Sequence, residues 1–224
     1  MNILNAGYEI LTDISAGAIK ELQHIERIGR VCYKSEDRIT EDGESAKKFV
    51  KMLINRGYCA MIEHSSLSVK FIVDRGVSHE LVRHRIASFA QESTRFCNYS
   101  TDKFGSKCNF IDLRSGIELD NKCKNMTAGE IGLLMREWIL SMEDAEKHYM
   151  NMLGLGATPQ IARSVLPNST KTEITITANY REWRNFFKLR VPGTAHPQMR
   201  EVTIPLLAEL KNKIPVVFDD ICVE

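Results

Sequence analysis

The sequence lacks an excess of either charge and has no long apolar run. Its 224 residues carry 30 Lys and Arg against 29 Asp and Glu, which gives a formal net charge of +1. Because nucleic-acid-binding proteins of this size are more often clearly basic, this balance argues against that class. No apolar run approaches the roughly 18 residues that a membrane span needs, and no segment resembles a signal peptide. We therefore expect a cytoplasmic protein.

Paired cysteines and glycine-rich phosphate loops are also missing. The sequence contains 6 Cys, but none of them forms a Cys-x-x-Cys pair. This spacing argues against a structural zinc site and favours free thiols in a reducing compartment. There is neither a Gly-x-Gly-x-x-Gly turn nor a P-loop, so a dinucleotide would have to be held by side chains instead of a glycine turn.

The hydrophobic periodicity predicts a mixture of helices and strands. Alternating apolar residues predict strands over 65–73 and 172–178, and a further strand can start within 4–14. Helical spacing predicts longer helices at 16–33, 44–56, 127–153, 180–190 and 197–212. The elements follow no regular βαβ order. The pattern therefore favours one α+β domain over residues 1–224, with a mixed or antiparallel sheet flanked by long helices.

Local signals refine several of these boundaries. Thr127 and Glu130 have the spacing of a capping box. Thr158 and Pro159 predict the start of another helix, which carries residues 161–166. We expect Pro205 to kink or interrupt the helix that contains it. A helix is expected to begin near Ser78 and to run into an irregular loop at 83–95, and residues 98–125 are expected to form loop or short strand.

The densest group of basic and hydroxyl side chains lies within residues 83–95. Arginine presents a planar fork of donors that matches phosphate oxygens, and hydroxyl groups can satisfy the remaining acceptors. A short, dense group of this kind favours a phosphorylated small molecule. The alternative is a solvated helix face or a set of intramolecular salt bridges. The group comprises Arg83, His84, Arg85, Ser88, Gln91, Ser93, Thr94 and Arg95.

A second basic group lies on the helix predicted at 180–190. In a helical projection at about 100° per residue, the basic and aromatic side chains separate into two faces. The basic face consists of Arg181, Arg184 and Lys188, and the aromatic face consists of Trp183, Phe186 and Phe187. Arg190 falls in the middle of the aromatic face. Burying an unpaired charge is very costly, so Arg190 either faces a bound anionic ligand, or reaches water or a carboxylate at the helix end.

The spacing of Arg83-His84-Arg85, Ser88, Ser93 and Arg95 resembles the signature of the flavin-dependent thymidylate synthases. Further segments resemble this family outside the signature, so the similarity extends from about residue 20 to residue 215. These segments are Glu63-His64, Ala162-Arg163 with Leu166-Pro167, Asn179 with Arg181, Leu189-Arg190 and Gln198.

The resemblance implies a specific reaction. Members of this family convert dUMP to dTMP, taking a one-carbon unit from methylenetetrahydrofolate and hydride from NADPH through bound FAD. They are homotetramers whose active sites are shared between subunits, and we expect the same here. A nucleophilic role for Ser93 is disfavoured, because no base is paired with it in the sequence. The Pro-Cys-His segment of the unrelated cysteine-using thymidylate synthases is absent.

The resemblance also implies site residues, position by position. Arg190 is expected to act catalytically, because a fixed cation beside the uracil favours its N3-deprotonated form. Residues 80–83 are expected to contact dUMP from a neighbouring subunit. The expected dUMP contacts are Glu80, Leu81, Val82, Arg83, Gln91, Ser93, Thr94, Arg95, Arg163 and Arg190. The expected FAD contacts are Arg83, His84, Arg85, Ile86, Gln91, Asn179, Arg181 and Asn185.

Some positions depart from the family pattern, and two other functions stay open. Tyr58 stands where a histidine is common, Ala60-Met61 where a Ser/Thr-Pro pair is common, and Phe96 where an aromatic residue with a hydroxyl is common. Glu80 stands in place of a common glutamine, and Ala90-Gln91 in place of Asn-Glu.

One alternative function is that of a non-catalytic nucleic-acid-binding protein that uses both basic groups. The other is a flavoprotein that acts on a different pyrimidine nucleotide.

Overall fold

A computed structural model describes residues 1–223 of the chain. The strands are β1 (Asn2–Leu4), β2 (Gly7–Ile10), β3 (Ser66–Asp74), β4 (Ala87–Gln91), β5 (Asn109–Ile111) and β6 (Lys171–Asn179). The α-helices are α1 (Ile19–Val31), α2 (Glu44–Asn55), α3 (Arg75–Leu81), α4 (Arg114–Leu119), α5 (Ala128–Gly154), α6 (Pro159–Ala162), α7 (Tyr180–Arg190), α8 (Pro197–Lys213) and α9 (Pro215–Phe218). Short 3-10 helices lie at Ala16–Ala18, Glu36–Arg38, Cys59–His64, Asp102–Phe104, Cys123–Asn125 and Arg163–Val165.

The larger sheet has the strand order β2-β3-β6-β4, and every neighbouring pair is antiparallel. Strands β3 and β6 form its centre and pair along their whole length. Leu67, Val69 and Phe71 of β3 are fully buried, whereas the residues between them are partly accessible, as the alternation predicted. Strands β1 and β5 form a separate parallel pair. The α+β class with a mostly antiparallel sheet is therefore confirmed.

Helix α7 is fixed on the larger sheet by its aromatic face. Trp183, Phe186 and Phe187 are almost fully buried, and the Trp183 and Phe186 rings lie 6.3 and 6.2 Å from that of Phe71 in β3. The Trp183 indole Nε1–H donates to the carbonyl oxygen of Leu67 at 2.9 Å. Because its polar atom is satisfied, the indole can be buried without a desolvation penalty. This packing fixes the positions of the polar residues along α7.

Two predictions about the arginine-rich segment were wrong. Helix α3 begins at Arg75 instead of Ser78, because the Asp74 carboxylate caps it by accepting from the Val77 N–H at 2.6 Å. Residues 87–91 form strand β4 instead of an irregular loop, since they pair with residues 174–178 of β6. The small side chains of this segment gave no strand signal, but the free edge of β6 supplies the hydrogen bonds.

Two further predictions need correction, while one boundary signal is confirmed. Residues 98–125 contain helix α4 as well as a strand. Helix α8 continues through Pro205 without interruption, because buried apolar residues on both sides of the proline keep the helix packed. The capping box at Thr127 and Glu130 is present at the start of α5. None of the helices within residues 1–223 has the length and apolarity needed to cross a bilayer.

Candidate functional site

Arg190, the last residue of α7, is held by three hydrogen bonds. Its Nη1 donates to Oε2 of Glu80 at 2.7 Å, its Nη2 to the backbone oxygen of Glu80 at 3.1 Å, and its Nε to Nε2 of His84 at 3.1 Å. The cation on the aromatic face thus meets a carboxylate, which was one of the two alternatives left open. Each terminal nitrogen of the guanidinium keeps a second N–H that can reach a ligand.

The His84 ring is buried between Arg190 and Glu182. Its Nδ1 lies 2.9 Å from Oε1 of Glu182. Because the Arg190 Nε–H can only donate, His84 Nε2 accepts, so Nδ1 carries the proton and donates to Glu182. Burial, and then the charge of Arg190, lower the pKa of His84 below its ordinary value, while Glu182 opposes them. His84 is therefore neutral at neutral pH.

Glu182 is in turn held by two asparagines, by Asn179 through its backbone N–H and by Asn185 through its carboxylate. The Glu182 N–H donates to Oδ1 of Asn179, the N-cap of α7, at 2.8 Å. The Asn185 Nδ2 lies 3.3 Å from both carboxylate oxygens of Glu182. Glu182 was not predicted from the sequence, although Asn179-x-x-Glu182 has the spacing of a helix-capping pair. We call Arg190, Glu80, His84 and Glu182 the Arg190 network.

A second group of residues surrounds a cavity of about 460 Å³. The Arg163 Nη1 donates to Oγ1 of the buried Thr94 at 3.1 Å, so the structure brings these two predicted phosphate ligands together. Ser164 adds a hydroxyl to the wall of this cavity. We call it the Arg163 cavity, and its lining consists of Arg75, Thr94, Gln160, Arg163, Ser164 and Leu166.

Arg75 is a functional candidate that was not predicted from the sequence. Its Nη1 is buried and has no hydrogen-bond partner within residues 1–223. A buried donor without an acceptor costs about 1–3 kcal/mol or more when charged, and because Arg75 lines the Arg163 cavity, an anion bound there would stabilise its guanidinium. No local motif marks Arg75, because its importance arises only when the fold brings the start of α3 close to Arg163 at the end of α6.

The other predicted dUMP residues lie outside this cavity's lining. The Arg95 guanidinium lies over the ring of Phe96, 5.3 Å from its centroid, and the Arg95 N–H donates to Oγ of Ser93 at 3.3 Å. The Gln91 amide is used within the protein, because its Nε2 donates to Oγ of Ser78 at 2.9 Å. Leu81 is fully buried in the main core, so its side chain is not available to a nucleotide.

A third region, at the start of α7, forms an apolar pocket of about 410 Å³. Tyr33, Tyr58, Met61 and Arg181 contribute to its wall. The Arg181 Nη1 pairs with Oε1 of Glu63 at 2.5 Å, and both side chains are half exposed. We call this the Arg181 pocket. Three further predicted FAD residues have exposed side chains, namely Arg83, Arg85 and Ile86.

One of the three residues predicted on the basic face of α7, Arg184, is not available on the surface. Arg184 is buried, with both terminal nitrogens 2.6 Å from the two carboxylate oxygens of Asp220, and Nη1 also donates to the backbone oxygen of Val217. The helical projection gave the direction of this side chain but not its partner, which lies in the C-terminal segment. With Arg184 neutralised, α7 presents no continuous basic face to a nucleic acid.

Comparisons with known proteins identify relatives over most of the chain. The profile of the family described as "Thymidylate synthase complementing protein" matches residues 18–216. A "Flavin-dependent thymidylate synthase" of Corynebacterium aurimucosum is 31% identical over 213 residues, covering 93% of this chain and 83% of the relative. Another protein of that name, from Mycobacterium sp. strain KMS, is 30% identical over 218 residues, covering 93% of this chain and 82% of the relative.

A solved structure has a similar fold. It is the UMP/dUMP methylase PolB from Streptomyces cacaoi bound with 5-Br dUMP, with a TM-score of 0.79 and 19% sequence identity. The alignment covers 98% of this chain and 96% of that chain. At this level of identity, the likeness concerns the fold, which extends over nearly the whole length of both chains.

Proposed function

The chain belongs to the family of flavin-dependent thymidylate synthases, and on that premise we propose that it converts dUMP to dTMP, with methylenetetrahydrofolate as carbon donor and NADPH as reductant through bound FAD. The observation that carries this proposal is the Arg190 network. It holds a guanidinium in one orientation and leaves terminal N–H groups for a ligand. Such a preorganised cation stabilises negative charge that develops on a bound pyrimidine.

We propose that the Arg163 cavity binds the phosphate of dUMP. A phosphate monoester carries a charge of about −1.5 to −2 at pH 7, and Arg75 and Arg163 line the cavity together with the hydroxyls of Thr94 and Ser164. Two guanidinium groups match this charge, and each can donate two hydrogen bonds to phosphate oxygens. No carboxylate lies in the lining, so a phosphate would meet no competing anion there.

We further propose that the enzyme is a homotetramer in which each dUMP lies between subunits, as the resemblance implies. Within residues 1–223, no hydrogen bond or ion pair joins the Arg190 network to the Arg163 cavity. Large apolar side chains are exposed close to the cavity and along α5. They are Leu133, Leu140, Leu155 and Ile161. Exposed apolar groups of this kind are typical of protein contact surfaces.

The residues of the Arg181 pocket fit part of a flavin dinucleotide. Tyr33, Tyr58 and Met61 offer apolar contacts for a flat ring, and Arg181 offers a cation for an adjoining phosphate. Arg181 and Arg190 are separated by about 13 Å along α7, given a rise of about 1.5 Å per residue. Nine residues at about 100° per residue also place the two side chains on opposite sides of α7, so an extended dinucleotide would have to pass around the helix to reach Arg190. Bound flavin would supply the reducing equivalents that convert the transferred one-carbon unit to a methyl group.

The chain's own residues supply electrostatic catalysis in this proposal. Arg190 stabilises the negative charge that forms on the uracil when N3 loses its proton, and this increases the electron density available to the carbon that is methylated. A nucleophilic role for Ser93 stays disfavoured. Its Oγ accepts from the Arg95 N–H, and no general base is hydrogen-bonded to it within residues 1–223.

The proposal is tested by a spectrum followed by a turnover assay. The absorbance of the purified protein with FAD is recorded and dUMP is titrated, and a shift of the flavin bands is expected because the two ligands would adjoin. Production of dTMP is then measured with methylenetetrahydrofolate and NADPH, leaving out each component in turn. If UMP or dCMP were turned over faster than dUMP, that nucleotide and not dUMP would be the substrate. A protein that binds no flavin would favour the non-catalytic alternative.

A further inference from the structure

We propose that His84 is a positioning residue: its neutral, Nδ1-protonated ring orients Arg190 for the pyrimidine, and protonation of Nε2 removes one of the three hydrogen bonds that hold that arginine. This inference rests on the proposed function, because it assumes that Arg190 acts on the bound base. It assigns the histidine of the Arg-His-Arg segment a role towards a protein side chain, whereas the resemblance assigned it to the flavin.

The surroundings of the ring fix its orientation. Both ring nitrogens are engaged, Nδ1 with Glu182 and Nε2 with Arg190. The ring of Phe186 packs at 4.9 Å with an interplanar angle of 64°, and only 5% of the His84 side chain is exposed. A flipped ring would place carbon atoms against the Glu182 carboxylate and the Arg190 Nε–H, and both hydrogen bonds would be lost.

The charged groups around the ring define the effect of protonation. Glu182 and Arg190 of α7 face it directly, while Glu80 of α3 reaches it only through Arg190. An imidazolium has N–H donors at both nitrogens, so Nε2 could no longer accept from Arg190. Two like charges would then lie within hydrogen-bond distance and repel each other. The imidazolium would keep its hydrogen bond to Glu182, and Arg190 would keep only its hydrogen bonds to Glu80.

The sign of the pH dependence follows from this geometry. Burial and Arg190 lower the pKa of His84 below 6.5, so the orienting neutral form dominates at neutral pH. As pH falls through the lowered pKa, the ring becomes charged and Arg190 loses its third hydrogen bond. The rate constant kcat should therefore decrease on the acid side. The KM for dUMP should change less, because the Arg163 cavity would still bind the phosphate.

Two substitutions of His84 distinguish the role of Nε2 from that of Nδ1. In His84→Gln the longer amide can place its oxygen near the Nε2 position and accept from Arg190 without titrating. In His84→Asn the shorter amide reaches only the Nδ1 position. We expect His84→Asn to lower kcat by about 100-fold, the size of effect that a small misplacement of a catalytic group can cause. His84→Gln should restore most of kcat and remove the acid limb of the pH profile.

Controls distinguish positioning from a merely structural role. His79→Asn changes an exposed histidine of α3, the helix that precedes His84, and should leave kcat and its pH profile unchanged. Arg190→Lys removes the Nε donor, so adding His84→Asn to it should cause little further loss in a double-mutant cycle. Full activity of His84→Asn, or an acid limb that persists in His84→Gln, would overturn the proposal.

A measurement that needs no turnover tests the same contact. Nitrogen-15 NMR of histidine-labelled protein at neutral pH should find His84 protonated at Nδ1. In Arg190→Gln the pKa of His84 should rise, because the nearby positive charge is gone. A ring protonated at Nε2, or an unchanged pKa, would refute the positioning role. Absence of dTMP formation by the unaltered protein would instead refute the proposed function, so the two failures can be told apart.

Discussion

The two arginine sites satisfy their charges in opposite ways. In the Arg190 network every nitrogen of Arg190 has a partner inside the chain, and Glu80 neutralises the cation. In the Arg163 cavity Arg75 has an unpartnered buried nitrogen, and the lining contains no carboxylate. A neutralised cation held in place is suited to orienting a ligand, whereas an uncompensated pair of cations is suited to binding an anion. We therefore expect Arg190 to govern turnover and the cavity to govern affinity.

The largest expected effect is that of Arg190→Ala on turnover. Loss of one preorganised charge beside a developing anion typically lowers kcat by about 100- to 1000-fold, so dTMP formation should become barely detectable. The fold and most flavin binding should persist, because Glu80 is partly exposed and water can solvate its carboxylate. Stopped-time assays of dTMP and circular dichroism check both statements. Full activity would remove Arg190 from the catalytic role.

The second-largest expected effect is that of Arg75→Ala on the affinity for dUMP. Arg75→Ala should weaken dUMP binding by about 1.5–3 kcal/mol, the usual contribution of a charged hydrogen bond, which corresponds to about 10- to 150-fold in Kd. Isothermal titration with dUMP measures this. Arg136→Ala removes an exposed arginine of α5 and serves as the matched control. Equal Kd values for the two variants would show that the cavity does not bind the phosphate.

Arg95→Ala tests the family resemblance against the contacts within one chain. The resemblance predicts a loss of about 1.5–3 kcal/mol in dUMP binding, as for any charged hydrogen bond to the phosphate. We expect this loss, because the exposed Arg95 is held only over Phe96 and follows the cavity residue Thr94 directly. An unchanged Kd would exclude Arg95 from the phosphate site and leave Arg75 and Arg163 as its cations.

The smallest expected effect is a gain in affinity. Glu80→Gln removes the negative charge that competes with dUMP for Arg190, and a partly exposed ion pair of this kind contributes about 0.2–1 kcal/mol. The Kd for dUMP should therefore fall by no more than about fivefold. Glu118→Gln alters an exposed carboxylate of α4 and should leave the Kd unchanged. Weaker binding by Glu80→Gln would mean that this carboxylate contacts the nucleotide productively.

The contrast between local and distant signals explains which features could be predicted. Helix α2 and strand β3 were predicted closely because their periodicity is local. The strand at 87–91 was missed because its pairing with β6 is decided by tertiary structure. The projection found Arg190 anomalous on its helix, but its partner Glu80 lies 110 positions away in sequence. Arg75 gave no local signal, since its unpartnered nitrogen exists only in the folded chain.

Helix α3 carries a residue of each arginine site. It begins at Arg75 in the Arg163 cavity and reaches Glu80 of the Arg190 network, about 8 Å further along its axis at about 1.5 Å per residue. If each nucleotide lies between subunits, one α3 would serve two different active sites. A rigid helix holds its two ends at a fixed separation. The positions of Arg75 and Glu80 are therefore tied together, and a substitution that shifts the start of α3 would disturb both arginine sites.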